Sequence, residues 1–264
     1  MAVDGKFWLG TSWKMNKTIS EAEHWVRAVF EDRQARPALQ QFVIPPFTAT
    51  APVAAMLRGT SVLVGAQDVH PAGEGAHTGD VSARMVAEAG AVIAELGHQE
   101  RRRDHGETDD VINAKVRTAA SYGLRPLLCV GDTMQDRNWG TTGETLARQL
   151  KAGFFDLPDD ARRGALVAYE PAWAIGVNGV AASAEQIRDA HSLLRGTLAD
   201  LWGADAAAGV ALLYGGNVSR DNAAEIAALA DVDGLFVGRA ALDPAGFVAI
   251  RSAVLTSISL QGES

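Results

Sequence analysis

The chain has 264 residues, 47% of them hydrophobic and 21% charged, which excludes a disordered chain and is enough to bury a sizeable core. Its net charge of −8 excludes the basic surface that non-specific nucleic-acid binding requires, but a small anionic ligand can still be held by local cations. A single cysteine, Cys129, excludes an intrachain disulfide, and in the run Leu127-Leu128-Cys129-Val130 it reads as a buried small hydrophobe.

Strand-like runs are predicted at residues 7–11, 41–45, 62–66, 92–95, 126–130, 166–170, 210–214 and 234–237. Several are continuously apolar, as parallel strands buried on both faces are. Helical patterns lie between them. Thr18-Ile19-Ser20-Glu21 reads as a capping box before Ala22, Trp25, Val26 and Val29, which share one helix face. Ser183-Ala184-Glu185-Gln186 reads as a second box, before Ile187, Ala190, Leu194 and Leu198. Ser219 is predicted to cap a helix bearing Ala223, Ile226 and Ala230. The longest irregular stretches fall at about 67–80, 131–143 and 171–182, each after a strand. Strand–helix alternation predicts an α/β parallel sheet in a single domain over residues 1–264, but periodicity does not choose between a closed barrel and an open sheet. No apolar stretch approaches the ~20 residues of a membrane span, and no leader pattern opens the chain, so a cytoplasmic protein without membrane contact is expected.

Chemistry-bearing residues gather at the strand ends. Glu170 closes an apolar run and is followed by Pro171; a carboxylate there could take a proton from carbon. His98 follows Gly97 where a helix could begin, a place that favours a neutral imidazole able to donate one N–H. Lys14 lies just beyond the first strand, where a point charge would bind phosphate and offset developing negative charge. Gly176, the Gly215-Gly216-Asn217 turn and Gly238 permit backbone N–H groups to approach oxygens closely. Taken singly, each has a plainer reading: a surface glutamate, a core histidine, a solvated lysine, ordinary loop glycines.

Together they carry a resemblance. Gly10-Thr11-Ser12-Trp13-Lys14-Met15-Asn16, Glu95-Leu96-Gly97-His98-Gln99-Glu100-Arg101-Arg102, Tyr169-Glu170-Pro171-Ala172-Trp173-Ala174-Ile175-Gly176, Tyr214-Gly215-Gly216-Asn217-Val218 and Val237-Gly238-Arg239-Ala240 resemble the signature of the triosephosphate isomerase family, in its order and spacing, from about residue 10 to 242. The resemblance implies a (β/α)8 TIM barrel. It also implies Glu170 as base, a neutral His98 as electrophile and Lys14 as the anion-binding cation, with no metal and no cofactor. Further implications are a lid at 171–179, a Glu100 that holds Lys14, and structural ion partners in Arg101 and Glu107. The segment around residues 75–80 resembles the family's subunit-docking loop and implies a homodimer through loop 67–80, with Thr78 near the neighbouring site.

Departures cluster around the substrate. Ser12 stands where triosephosphate isomerases have asparagine, Gln99 and Asn217 where they have serines, Arg239 where they have a glycine, and His77 where they have an aromatic residue. Serine beside Lys14 removes volume and an amide at the reacting end, which suits a substrate with one extra hydroxymethyl group. The run Thr11-Ser12-Trp13-Lys14-Met15-Asn16-Lys17-Thr18 also resembles the branch of the family that isomerises tetrulose phosphates in erythritol breakdown. The expected reaction therefore interconverts L-erythrulose 1-phosphate and D-erythrulose 4-phosphate, with triosephosphate isomerisation as the alternative. A third reading is a catalytically silent sugar-phosphate-binding protein.

Overall fold

Strand pairing closes the sheet on itself. In the computed structural model, which describes residues 5–32, 34, 36–175 and 179–262, eight parallel strands follow sequence order around a barrel. They are β1 (Phe7–Ser12), β2 (Leu39–Ile44), β3 (Leu63–Ala66), β4 (Ile93–Leu96), β5 (Arg125–Val130), β6 (Leu166–Tyr169), β7 (Ala211–Tyr214) and β8 (Gly234–Val237). β8 pairs back to β1, with Trp8 opposite Gly234 and Thr11 opposite Val237. That pairing decides between the two architectures that local periodicity leaves open: this is a (β/α)8 barrel.

The two-residue period of a strand sorts the side chains into two cores. Trp8, Phe42, Ile44, Ile93, Leu127, Cys129, Leu166, Ala168, Ala211, Leu213 and Phe236 fill the barrel interior. The alternate positions, such as Leu9, Val43, Ala94, Leu128, Val167 and Leu212, pack outward against the helices. Both faces are buried, which is why the strands read as apolar runs. Gly10 is needed inside: a Cβ there would lie 2.1 Å from the ring of Phe42. Cys129 is fully buried, and burial first, then the charges of Glu170 and Glu95, push its thiol well above its ordinary range. Carried to the C-terminal strand ends, the inward parity falls on Ser12, Glu95, Glu170 and Gly215.

Local signals account for the helix starts. The helix Ile19–Phe30 opens on the Thr18/Glu21 capping box and Ala184–Trp202 on the Ser183/Gln186 box. The helix expected from Ser219 begins later, at Ala223–Ala227, and stops before Ala230. Asn222 explains the delay, since its side chain accepts from the Ser219 N–H and donates to the Asn217 carbonyl, tying the segment into a turn. The stretch 131–143 is not irregular: Thr133 and Asp136 form a capping box for Met134–Trp139. The second strand ends at Ile44 rather than 45, where proline has no N–H to give the ladder. Glu170 lies one residue past β6, although its N–H still bonds the Val130 carbonyl at 2.7 Å. Among the described residues, no helix is long and apolar enough to cross a membrane.

One aromatic cluster fixes the segment that carries Lys14. Trp13 is buried against Trp25 at 5.0 Å between ring centroids, and Trp25 meets Phe247 of the C-terminal helix at 5.3 Å. Trp25 also donates to the Ala241 carbonyl at 2.9 Å. Edge-on aromatic contacts of this kind add to the burial itself, so the chain after β1 is anchored to the last helix and to the loop after β8.

Candidate active site

A cavity of about 430 Å³ opens at the C-terminal ends of the strands, within the range of small-ligand sites. Ser12, Lys14, His98, Glu170, Gly215 and Arg239 are among its lining residues. They come from the ends of β1, β4, β6, β7 and β8, and the closed barrel brings them to one place.

Glu170 is 3% exposed and stands beside Gly215. A Cβ on Gly215 would lie 2.8 Å from Glu170 Cγ, so glycine is what allows the carboxylate to sit there. Glu170 Oε2 lies 3.5 Å from His98 Nε2 and has no hydrogen-bond partner among the described residues. A buried carboxylate oxygen without a partner is rare in a finished core. It is a free acceptor at the place where a reacting C–H could be brought.

His98 caps the helix Gln99–Asp104, and its Nδ1 accepts from the Glu100 N–H at 3.1 Å. An accepting Nδ1 assigns the ring proton to Nε2, which points toward Glu170. Lys14 adopts a left-handed backbone (φ 52°), uncommon for a residue with a Cβ and a conformation that clusters at functional sites. Its Nζ lies 2.8 Å from Glu100 Oε1, and its carbonyl accepts from Gln67 at 2.9 Å. Burial alone would raise the Glu100 carboxyl, but the hydrogen bond and charge of Lys14 outweigh it and hold the group below its usual range.

The remaining residues divide. Gly216, Asn217 and Gly238 line the cavity. A Cβ on Gly216 would strike the Tyr214 hydroxyl at 2.3 Å, whereas one on Gly238 would meet nothing within 4 Å. Gly238 therefore faces open cavity, and the chain's own packing does not demand a glycine there. Arg239, whose direction sequence did not give, also lines the cavity, and it is exposed, with no ion pair among the described residues. Gln99 differs from expectation. It is not among the lining residues; its Nε2 donates to the Gly131 carbonyl at 3.3 Å, because the side chain is long enough to reach the loop after β5. Arg101 pairs with Asp68 at 2.8 Å and Glu107 at 2.6 Å. Thr78 is exposed within loop 74–80 and lies away from this cavity's lining. Gly176, with part of the segment read as a lid, lies outside the described residues.

Asp132 and Glu95 are buried acids beside the site that the motifs did not assign. Asp132 accepts from Tyr169 at 3.0 Å, Thr142 at 2.9 Å and the Trp173 indole at 3.2 Å, anchoring the segment that follows Glu170. Glu95 sits on β4 at an inward position, 2% exposed, and accepts from the Ser12 hydroxyl at 2.8 Å. A lone carboxylate inside Val92-Ile93-Ala94-Glu95-Leu96 was the available signal, since buried acids are rare unless partnered.

A family model described as triosephosphate isomerase matches residues 7–254. The chain belongs to the triosephosphate isomerase family. It is 41% identical over 263 residues to a Brucella abortus biovar 1 (strain 9-941) protein named L-erythrulose-1-phosphate isomerase, covering 96% of this chain and 98% of that one. It is 39% identical to a Chloroflexus aurantiacus protein named triosephosphate isomerase, covering 90% and 95%. The crystal structure of triosephosphate isomerase from Bartonella henselae superposes with a TM-score of 0.84 at 31% identity, covering 94% of this chain and 98% of that one. Membership of the triosephosphate isomerase family makes this chain an isomerase on a TIM barrel.

Proposed function

We propose that the chain interconverts L-erythrulose 1-phosphate and D-erythrulose 4-phosphate through an enediolate. The observation that carries this reading is Ser12: its small hydroxyl lines the cavity with Glu170 and His98 and donates to Glu95, whose carboxylate lies within 4.8 Å of both groups. It leaves room for a hydroxymethyl group that a triose phosphate lacks. The Brucella relative's name supports the same substrate.

The reaction needs only proton movements. The Glu170 carboxylate takes the C3 proton of L-erythrulose 1-phosphate, and the C–H electrons form the C2–C3 double bond as the C2 carbonyl oxygen becomes an oxyanion. His98 Nε2–H donates to that oxygen and Lys14 offsets its charge. A proton then moves between the two oxygens through His98. Glu170 returns its proton to C2, leaving the carbonyl at C3. The phosphate would sit against Gly215, Gly216, Asn217 and Gly238, the region after strands seven and eight where barrels often hold it, with Arg239 supplying charge. Gly176 would add to this group. Arg101 keeps a supporting role by holding the segment after His98. Gln99 contacts the loop after β5 through the Gly131 carbonyl.

Steady-state kcat/KM for L-erythrulose 1-phosphate is expected to exceed that for dihydroxyacetone phosphate. A preference for the triose would favour the second reading, triosephosphate isomerisation, which the Chloroflexus relative supports.

A cytoplasmic homodimer is part of the proposal. Residues 74–80 are all exposed, and Met15, next to Lys14, is 97% exposed. The base of this loop is tied to the site, because Gln67 donates to the Lys14 carbonyl. Docking of the loop into a second copy, with Thr78 near the neighbouring site, would cover these groups. Sedimentation equilibrium at micromolar concentration is expected to give twice the chain mass. A fully active species at the mass of one chain would refute the dimer.

A further inference from the structure

Inside the barrel, a carboxyl takes an inward strand position. Glu95 shares the inward face of β4 with Ile93 and pairs in register with Leu127 of β5. Its carboxylate, the Glu170 carboxylate and the His98 ring each offer an atom within 4.8 Å of the other two. Yet Glu95 does not line the cavity; Ser12, which does, donates its hydroxyl proton to Glu95 Oε2 at 2.8 Å. With its proton committed inward, Ser12 Oγ presents lone pairs to the cavity. An amide side chain at this position would offer a donor as well. A hydroxyl with its donor engaged offers only an acceptor, and it suits a substrate O–H rather than an oxyanion.

We propose that Glu95 is a positioning residue for substrate selection: it fixes Ser12 Oγ as a hydrogen-bond acceptor for the hydroxyl of a hydroxymethyl group attached to the reacting carbon. A dihydroxyacetone phosphate molecule carries only hydrogen in that place and gains nothing from the pair. The inference rests on the tetrulose reading above and deepens it, replacing removed volume by a directional contact.

Electrostatics set how the pair must be charged. Glu170 after β6, Cys129 on β5, Lys14 after β1, and His98 and Glu100 after β4 face Glu95. Burial first, then the charge of Glu170, push the Glu95 carboxyl up to about 8. At neutral pH it keeps its proton; carried on Oε1, that proton leaves Oε2 to accept from Ser12 and adds no charge beside the enediolate. As pH rises through this range, ionised Glu95 would place a second negative charge beside the developing enediolate, and turnover falls.

The test uses the full chain with both substrates. Glu95→Leu keeps volume and removes the acceptor. It is expected to lower kcat/KM for L-erythrulose 1-phosphate roughly tenfold, chiefly through KM, while that for dihydroxyacetone phosphate moves by less than about threefold. Glu95→Gln, which still accepts from Ser12, is expected to restore the tetrulose preference and to lack the alkaline fall near pH 8 expected of the parent. If Glu95→Leu does not fold, Ser12→Ala is expected to show the same selective loss. Equal losses for both substrates, or a Glu95→Gln variant as unselective as Glu95→Leu, would overturn the inference. A parent enzyme that prefers the triose overturns the tetrulose reading instead, so the two failures are distinguishable.

Discussion

Glu170→Ala is expected to fold like the parent and to lose about 10²–10⁴ in kcat, roughly 3–5 kcal/mol of barrier. The expectation of normal folding comes from the carboxylate's surroundings. Its Oε2 has no hydrogen-bond partner among the described residues, so truncation strands no donor that depended on that oxygen. The backbone anchors remain: the Glu170 N–H to the Val130 carbonyl, and the Gly215 N–H to the Tyr169 carbonyl at 2.8 Å. Gly215 would then face a small void rather than a clash. What disappears is the acceptor for the carbon-bound proton, and no other side chain in the cavity replaces it: Glu95 is behind Ser12 and Glu100 is engaged by Lys14. Proton NMR in D2O measures the same step directly, since the parent should exchange the substrate's C–H with solvent and the variant should not. Lys14→Ala is expected to lose at least as much, and Glu100 would lose its cation with it. Near-normal turnover in either folded variant would remove that residue from its assigned role. Failure of the parent to exchange the substrate proton at all would favour a silent binding protein.

The gathering of Lys14, His98 and Glu170 in one cavity was legible because barrel chemistry sits where strands stop, and each stands at or just past a strand's C-terminal end. Closure was not legible from local pattern, because the decisive pairing joins Trp8 to Gly234, at opposite ends of the chain. The crowding at Gly215 was invisible for a similar reason: its neighbour Glu170 belongs to a different strand end. Gln99 is read as a substrate contact because it stands where the family has serine, but a side chain's reach decides its contact, and this one ends on Gly131. Glu95 could have been found. Ile93 and Glu95 share a face, so an inward-pointing acid at the barrel's catalytic end follows from parity once Ile93 is taken as core. The strand is read from its apolar residues, and its single polar exception is the residue proposed above for substrate selection.

A second large effect lies outside the cavity. Lys115→Met is expected to destabilise the fold by about 3–5 kcal/mol near neutral pH. Lys115 lies on the helix Asp109–Ser121 and is buried. Its Nζ contacts both oxygens of Asp68, at 2.7 and 2.8 Å, and Glu107 Oε1 at 2.5 Å. Arg101 is the second cation on the same two acids. The acids are unequally served. Burial raises the Asp68 carboxyl despite both cations, whereas Glu107, which burial would also raise, is held low by Lys115 and Arg101. Methionine keeps the volume of the lysine stem and removes its charge, leaving Arg101 alone against two buried carboxyls, one of which already has an unpartnered Oε2. Without the cation both groups bind protons more tightly when folded than unfolded. Stability then improves as pH falls, and the deficit should be smaller at about pH 5.5 than at about pH 7.5. Asp68→Asn added to Lys115→Met should recover part of the loss by discharging one acid. Urea unfolding at both pH values measures all three, and a loss under about 1 kcal/mol at the higher pH would show that the cluster is not held by its central cation. Because Asp68 lies at the base of loop 67–80, and Gln67 beside it donates to the Lys14 carbonyl, the same substitution should also raise KM in the folded fraction.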